Sequence, residues 1–284
     1  MTTKKARYFA VLGSAVVLSL VVLCVGEAKP QSPKYLVIHS DDSGFSAAVN
    51  EATIRAMERG VVSSSNIMVM CPGFDEIAKY AVANPDRDFG LHLVLTAEKW
   101  DFRWGPVLKG QVPSLVQTDG SFWRTSAEVA QHAKIDDVDR ELRAQIQKAL
   151  DRKIRITHLD HHMWVMLQRP DLLKVYVQLG LDFKLPIRLH RHLTPAECGK
   201  LLQNPDEYRT LIQPAVAQGN PLFDFIETDN YGVPPAQKRA YYLKALRGLK
   251  PGISEFVIHC SVNRAGTLRW TPKTGPGNKV EFRT

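Results

Sequence analysis

Three stretches far apart in the chain each run from an apolar segment directly into groups able to bind a divalent cation: His39-Ser40-Asp41-Asp42, Gly90-Leu91-His92 and Thr157-His158-Leu159-Asp160-His161-His162. The residues leading into them, Tyr35 to Ile38, Phe89 to Leu95 and Ile154 to Leu159, read as strands buried on both faces. Polar ligands at the ends of three buried strands constrain the fold strongly, because one shared ion requires those strand ends to converge.

The N-terminus stands apart. Lys4, Lys5 and Arg7 precede an uncharged stretch from Tyr8 to Gly26, closing on the small-x-small pattern Gly26-Glu27-Ala28. Residues 1–28 read as a signal peptide, which predicts an exported protein, periplasmic or extracellular; an uncleaved segment would instead tether it to a membrane. Setting these residues aside removes three of 37 basic and one of 29 acidic residues, leaving 34 against 28. That modest excess, without basic clusters interleaved with aromatics, argues against a nucleic-acid partner. Cys71, Cys198 and Cys260 remain, odd in number and widely spaced, so no disulfide framework is implied.

Along residues 29–284, read as one domain, short β-rich runs alternate with amphipathic stretches. Strands are expected at 35–40, 62–70, 89–96, 154–159, 183–189, 223–226 and 255–258, the fifth reaching Arg188 and the last delivering His259. Helices are expected from Ser46 to Gly60, Phe74 to Asn84, Ser126 to Lys153, Pro170 to Leu179 and Ala236 to Leu249. Residues 98–124, rich in glycine, proline and tryptophan, read as an irregular insertion. The alternation argues for a parallel sheet covered by helices, either open and doubly wound or closed as a barrel, and ligands at several strand ends suit a barrel.

These motifs together carry a resemblance. Asp41-Asp42-x-Gly44 followed by a helix, Gly60-Val-Val-Ser-Ser-Ser65, Gly90-Leu-His-Leu93, Thr157-His-Leu-Asp-x-His162, Arg188 after a strand, and Glu255 to His259 occur in the order found in the YdjC-like (ChbG-like) carbohydrate deacetylases. The resemblance implies an α/β fold, a distorted (β/α) barrel of parallel strands with outer helices, here short of its last helix-strand unit. It also implies metal-dependent removal of acetyl groups from N-acetylated amino sugars or short oligosaccharides. Carried over by position, Asp42, His92 and His162 are the metal ligands, Asp41 the general base and His259 the acid. Asp160, Arg188 and His158 fall to supporting or substrate-contacting places. One divalent ion is implied, Mg or Zn foremost, with Mn, Co and Ni admitted by the same donor set. Two imidazoles and one carboxylate leave coordination positions open for water and an acetyl oxygen.

Each motif also has a plainer reading. Asp41 and Asp42 could cap a helix start, His92 could be a satisfied core histidine, and Arg188 and His259 could be structural. Alternation would point His158, Asp160 and His162 one way and His161 the other, making Asp160 a partner for a ligating histidine. The chain departs from the family pattern at Ser43, at His161-His162-Met163-Trp164-Val165-Met166, where the family carries further histidines, and at His259-Cys260-Ser261. These changes reshape walls more than ligands. They keep open two alternatives, a glycan-binding protein of this fold without turnover and another metal-dependent hydrolase. Trp100, Trp104 and Trp123 could stack on sugar or pack on the barrel; a homodimer is compatible with the reading.

Overall fold

The structure is a computed structural model that describes residues 32–99, 102–193, 204–228, 230 and 232–262. The expected signal segment, Trp100, Cys198 and the end of the chain lie outside these residues. Six strands, β1 (Lys34–Ser43), β2 (Ser64–Ile67), β3 (Phe89–Leu93), β4 (Leu159–His161), β5 (Phe225–Glu227) and β6 (Gly252–Ile258), form one sheet in the order β4-β3-β2-β1-β6-β5. Every pairing is parallel. The helices described with them are α1 (Ala47–Arg59), α2 (Phe74–Ala83), α3 (Ser126–His132), α4 (Ile135–Asp151), α5 (Pro170–Phe183), α6 (Pro205–Ala217) and α7 (Pro235–Arg247).

The sheet curls until its edges nearly meet. Across the gap between β4 and β5 lies an extended stretch whose backbone reaches both sides. Leu159 N–H donates to Pro186 O (2.8 Å) and Arg188 N–H to Leu159 O (2.9 Å), while Phe223 N–H donates to Leu189 O (2.9 Å) and Arg191 N–H to Phe223 O (2.8 Å). Single bridges replace a ladder here, so the barrel expected from the resemblance is present in distorted form. Strand β3, Phe-Gly-Leu-His-Leu, is buried throughout, as a parallel strand covered on both faces must be. Outside it, Val138, Leu142 and Ile146 of α4 and Leu172, Leu173 and Tyr176 of α5 complete the core.

Several expected elements shift. The long helix expected over 126–153 divides at Ala133 and Lys134, where Ser114 Oγ accepts the Lys134 N–H (3.0 Å) and Arg169 Nη1 donates to the carbonyls of Ala130 (2.9 Å) and Ala133 (3.0 Å). The strand expected at 154–159 is displaced to Leu159–His161, sharing only Leu159, although Thr157 N–H and His158 O still bond to β3. Helix α5 runs on to Phe183, into the expected fifth strand, which survives as the bridging stretch. Helix α6 was not anticipated; Asn204, accepting the Glu207 N–H (3.1 Å), caps its start, and Pro214 lies within it.

The insertion is irregular but pinned. Buried Glu141 on α4 accepts the N–H groups of Val107 (2.9 Å) and Leu108 (3.0 Å), and Asp137 accepts Ser114 N–H (3.0 Å) and Oγ–H (2.7 Å). Trp104 is buried edge-on to Phe45, and Trp123 donates to Ser114 O (2.9 Å) and stacks on His132. Both indoles are packing residues.

Helix α5 ends on Lys184 in the left-handed region (φ 54, ψ 41), exposed and carrying a Cβ where glycine is favoured. Lys184→Gly should therefore raise stability by about 1 kcal/mol, measured as a higher midpoint in thermal melting. A lower midpoint would show that the lysine side chain contributes more than its backbone conformation costs.

Candidate metal and catalytic site

Two aspartates in a row cannot face one point from a regular strand. In β1 the pairing with β2 slips between Ser40 and Ser43, and Asp42 takes a left-handed conformation (φ 70). This bulge turns both carboxylates to the same end of the barrel. Gly44 (φ 91) completes the turn, and a Cβ there would stand 2.8 Å from the Met68 carbonyl. Asn50 from α1 holds the turn by accepting the Gly44 N–H (2.7 Å) and donating to Gly73 O (2.9 Å) and Glu76 (2.8 Å).

Asn66 at the end of β2 organises what faces the bulge. Its Oδ1 accepts the Asp42 N–H (2.9 Å), which fixes the amide orientation, and its Nδ2 donates to Asp41 Oδ1 (2.6 Å) and Asp160 Oδ2 (2.5 Å). The other Asp160 oxygen lies 2.6 Å from His92 Nδ1. A carboxylate at that distance accepts a hydrogen bond from Nδ1–H, leaving the Nε2 lone pair of His92 directed away from it. His162 is oriented in mirror fashion: its Nε2 faces Glu98 Oε2 at 3.1 Å, which leaves Nδ1 on the inner side.

The two free imidazole nitrogens and one oxygen of Asp42 then form a near-equilateral triangle. His92 Nε2 and His162 Nδ1 are 3.2 Å apart, and each is 3.4 Å from Asp42 Oδ1. Groups held about 2.1 Å from one ion at tetrahedral to octahedral angles stand about 3.0 to 3.4 Å from one another. Asp42 Oδ1 is buried and has no hydrogen-bond partner, a costly state for a carboxylate oxygen that a cation would relieve. The surroundings favour positive charge: against the penalty of burial, Glu98 and Asp42 push the pKa of His162 up to about 10. The residues present thus fit a divalent ion, and the Asp42, His92 and His162 cluster could hold one.

Two other groupings of possible ligands lie nearby, Asp41-His92-Asp160 and His39-His158-Asp160. In the first, short hydrogen bonds through Asn66 and His92 already occupy the oxygens. In the second, His39 lies between Asp41 Oδ1 (3.1 Å) and Asp160 Oδ2 (3.2 Å); burial opposes its charge, yet these hydrogen bonds push its pKa up to about 10, making it a donor.

Asp41 is the next neighbour of the triangle. Burial would raise its pKa, but Arg188, His92 and His39 hold it well below the usual carboxylate range. Its Oδ1 is taken by Asn66, His39 and Arg188 Nη1 (3.5 Å), whereas Oδ2 is 4.0 Å from His259 Nε2. His259 Nε2 is also 3.5 Å from Asp42 Oδ2, and burial lowers its pKa against the opposing pull of Asp42 and Asp41. Arg188 spans Asp41, Asp160 (3.3 Å) and Glu255 (3.7 Å) inside the barrel.

Of the residues singled out in the sequence, Asp41, Asp42, His92, His162, Asp160, Arg188 and His259 converge. His158 does not reach the triangle: it lies over Gly90, where a Cβ would collide with its ring, and pairs with Asp88 (3.3 Å). Asn66, Glu98, His39 and Glu255 were not given roles from sequence. Glu98, at the foot of the insertion, carries no local signal; His39 and Glu255 stood at the head of motifs already singled out, without roles of their own.

A family model described as YdjC-like protein matches residues 35–280. This chain belongs to the YdjC-like family. It is 33% identical over 229 residues to a carbohydrate deacetylase of Thermus thermophilus, covering 81% of this chain and 78% of that one. To carbohydrate deacetylases of Geobacillus stearothermophilus and Brevibacillus brevis it is 34% and 32% identical, spanning 62% and 58% of their lengths and 57% and 54% of its own. A solved structure from Enterococcus faecalis V583, named for a proposed cellobiose-phosphate cleavage, superposes with a TM-score of 0.66 at 26% identity, covering 82% of this chain and 83% of that one.

Because the Asn66 carboxamide separates two carboxylates, Asn66→Asp, identical in shape, places a third negative group between Asp41 and Asp160. The expected cost is about 3 to 5 kcal/mol, read from urea denaturation at neutral pH; a loss under about 1 kcal/mol would contradict the network described.

Proposed function

We propose that this YdjC-like protein is a metal-dependent hydrolase that removes the acetyl group from an N-acetylated amino sugar or short oligosaccharide. The observation that carries the reading is the triangle of Asp42, His92 and His162, flanked by Asp41 and His259 and matched in family by carbohydrate deacetylases. Asp42 Oδ1, His92 Nε2 and His162 Nδ1 would hold one divalent cation, which when bound acidifies water and polarises the acetyl carbonyl.

The remaining work falls to the chain's own side chains. Asp41, ionised and with Oδ1 fully engaged, offers Oδ2 to take a proton from the attacking water. Asn66, His39 and Arg188 fix that carboxylate and compensate its charge. His259, near both aspartates, gives a proton to the departing nitrogen, without which an amine is a poor leaving group. Asp160 and Glu98 hold the two imidazoles in the required tautomers. We further propose that residues 1–28 direct export, which would bring the enzyme to extracytoplasmic glycans.

Purified protein should contain about one divalent ion per chain by elemental analysis and release acetate from N-acetylglucosamine oligomers. Asp41→Asn should keep the ion while kcat falls about a hundred- to ten-thousandfold. His92→Ala should lose the ion. Acetate release undiminished in Asp41→Asn overturns the assignment of the base. Full ion content in His92→Ala overturns the ligand set. Sugar binding without acetate release would identify a glycan-binding protein instead.

A further inference from the structure

The residues that follow His162 adopt a backbone that holding an ion does not require. Met163 and Trp164 are both left-handed, each at φ 54, although neither is glycine or asparagine. Such pairs persist only where the surroundings over-determine them, and they concentrate at ligand-handling sites. Here Ser126 Oγ donates to Met163 O (2.5 Å), Gln168 Nε2 donates to Trp164 O (3.2 Å), and Val165, Met166 and Leu167 are buried immediately behind.

The consequence is the placing of one indole. The Arg188 guanidinium carbon is 5.3 Å from the centroid of the Trp164 ring, with the rings of His190 at 5.5 Å and His161 at 5.8 Å. The same guanidinium reaches Asp41 at 3.5 Å, so the indole stands one side chain away from the proposed base. Trp164 is only partly buried, and Met163 beside it is 45% exposed. Trp104 and Trp123, by contrast, are committed to packing within the insertion. Close to the Trp164 ring, Arg188 Nε and His161 Nδ1 are buried without hydrogen-bond partners, on side chains at least nine-tenths buried, while His190 Nε2 faces Glu255 at 3.7 Å. A fixed aromatic face beside unpaired polar nitrogens suits a pyranose, whose C–H face stacks while its hydroxyls find partners.

We propose that Trp164 is a specificity-determining residue, the platform against which the sugar ring bearing the acetamido group stacks, with Arg188 Nε and His161 Nδ1 the unpaired nitrogens nearest to its hydroxyls. The proposal deepens the deacetylase reading and rests on it for the identity of the ligand. It names a ring contact rather than a reacting group, so its loss acts on binding before chemistry.

The test compares wild type, Trp164→Phe and Trp164→Ala on N-acetylglucosamine and its dimer and trimer. Trp164→Ala should raise KM on the order of tenfold for every substrate turned over, with kcat within a few-fold, and Trp164→Phe should recover most of the loss. Glucosamine should quench the intrinsic fluorescence of wild type, and that response should vanish in Trp164→Phe, whose thermal midpoint reports that it is folded. Unchanged KM in Trp164→Ala together with an unchanged fluorescence response in Trp164→Phe overturns the proposal, as does a KM effect confined to the trimer, which would place the ring in a neighbouring subsite. A fall in kcat with KM unaltered also overturns it, since the ring would then act through Arg188. If wild type releases no acetate yet the sugar response depends on Trp164, the deacetylase reading fails and the platform stands. If wild type deacetylates and the variants bind sugar equally well, only the platform fails.

Discussion

The site depends on one buried carboxamide. Asn66 accepts the amide of Asp42 and donates to both Asp41 and Asp160, so a single side chain fixes the bulged strand, separates two carboxylates and sets the orientation of His92 through Asp160. An amide is suited to this position because it presents an acceptor and two donors in one plane without adding charge. The β1 bulge supplies the geometry and Asn66 supplies its rigidity. Without them Asp41 and Asp42 would alternate to opposite faces.

Charge balance follows from the same arrangement. Asp41, Asp42, Asp160, Glu98 and Glu255 crowd one end of the barrel, answered by Arg188 and by His39. Burial alone would drive those carboxylates towards their neutral forms. Instead their pKa values lie below the usual range, because the cations and polarised N–H groups are within hydrogen-bonding or ion-pair distance. Arg188, touching three carboxylates, is the permanent member of that balance and ties the floor of the site to the stretch that closes the barrel.

Much of this was legible in the amino-acid sequence, for identifiable reasons. Apolar runs ending in Asp42, His92 and His162 announced strands and a shared polar end, and the order of motifs pointed to the family that the matched model names. Of the residues that hold the cluster, Asp160 was legible as a histidine's partner from its alternation with His162, whereas Asn66 and Glu98 were not. Asn66 sits inside the expected strand 62–70 as one more polar residue after three serines, while Glu98 meets His162 across 64 residues of sequence. The divided helix at Ala133 was hidden because its cause, Ser114 and Arg169, is tertiary. Helix α6, capped by Asn204 and carrying Pro214 inside it, had no counterpart among the expected helices.

The insertion between β3 and α3 is attached to α4 chiefly through main-chain amides: Val107 and Leu108 present N–H groups to Glu141, and Ser114 does the same to Asp137. The side chains of Val107 and Leu108 pack against the core at the same time, so the attachment joins polar and apolar contacts. Disturbing α4 would therefore loosen the segment that begins at Glu98, and with it the orientation of His162.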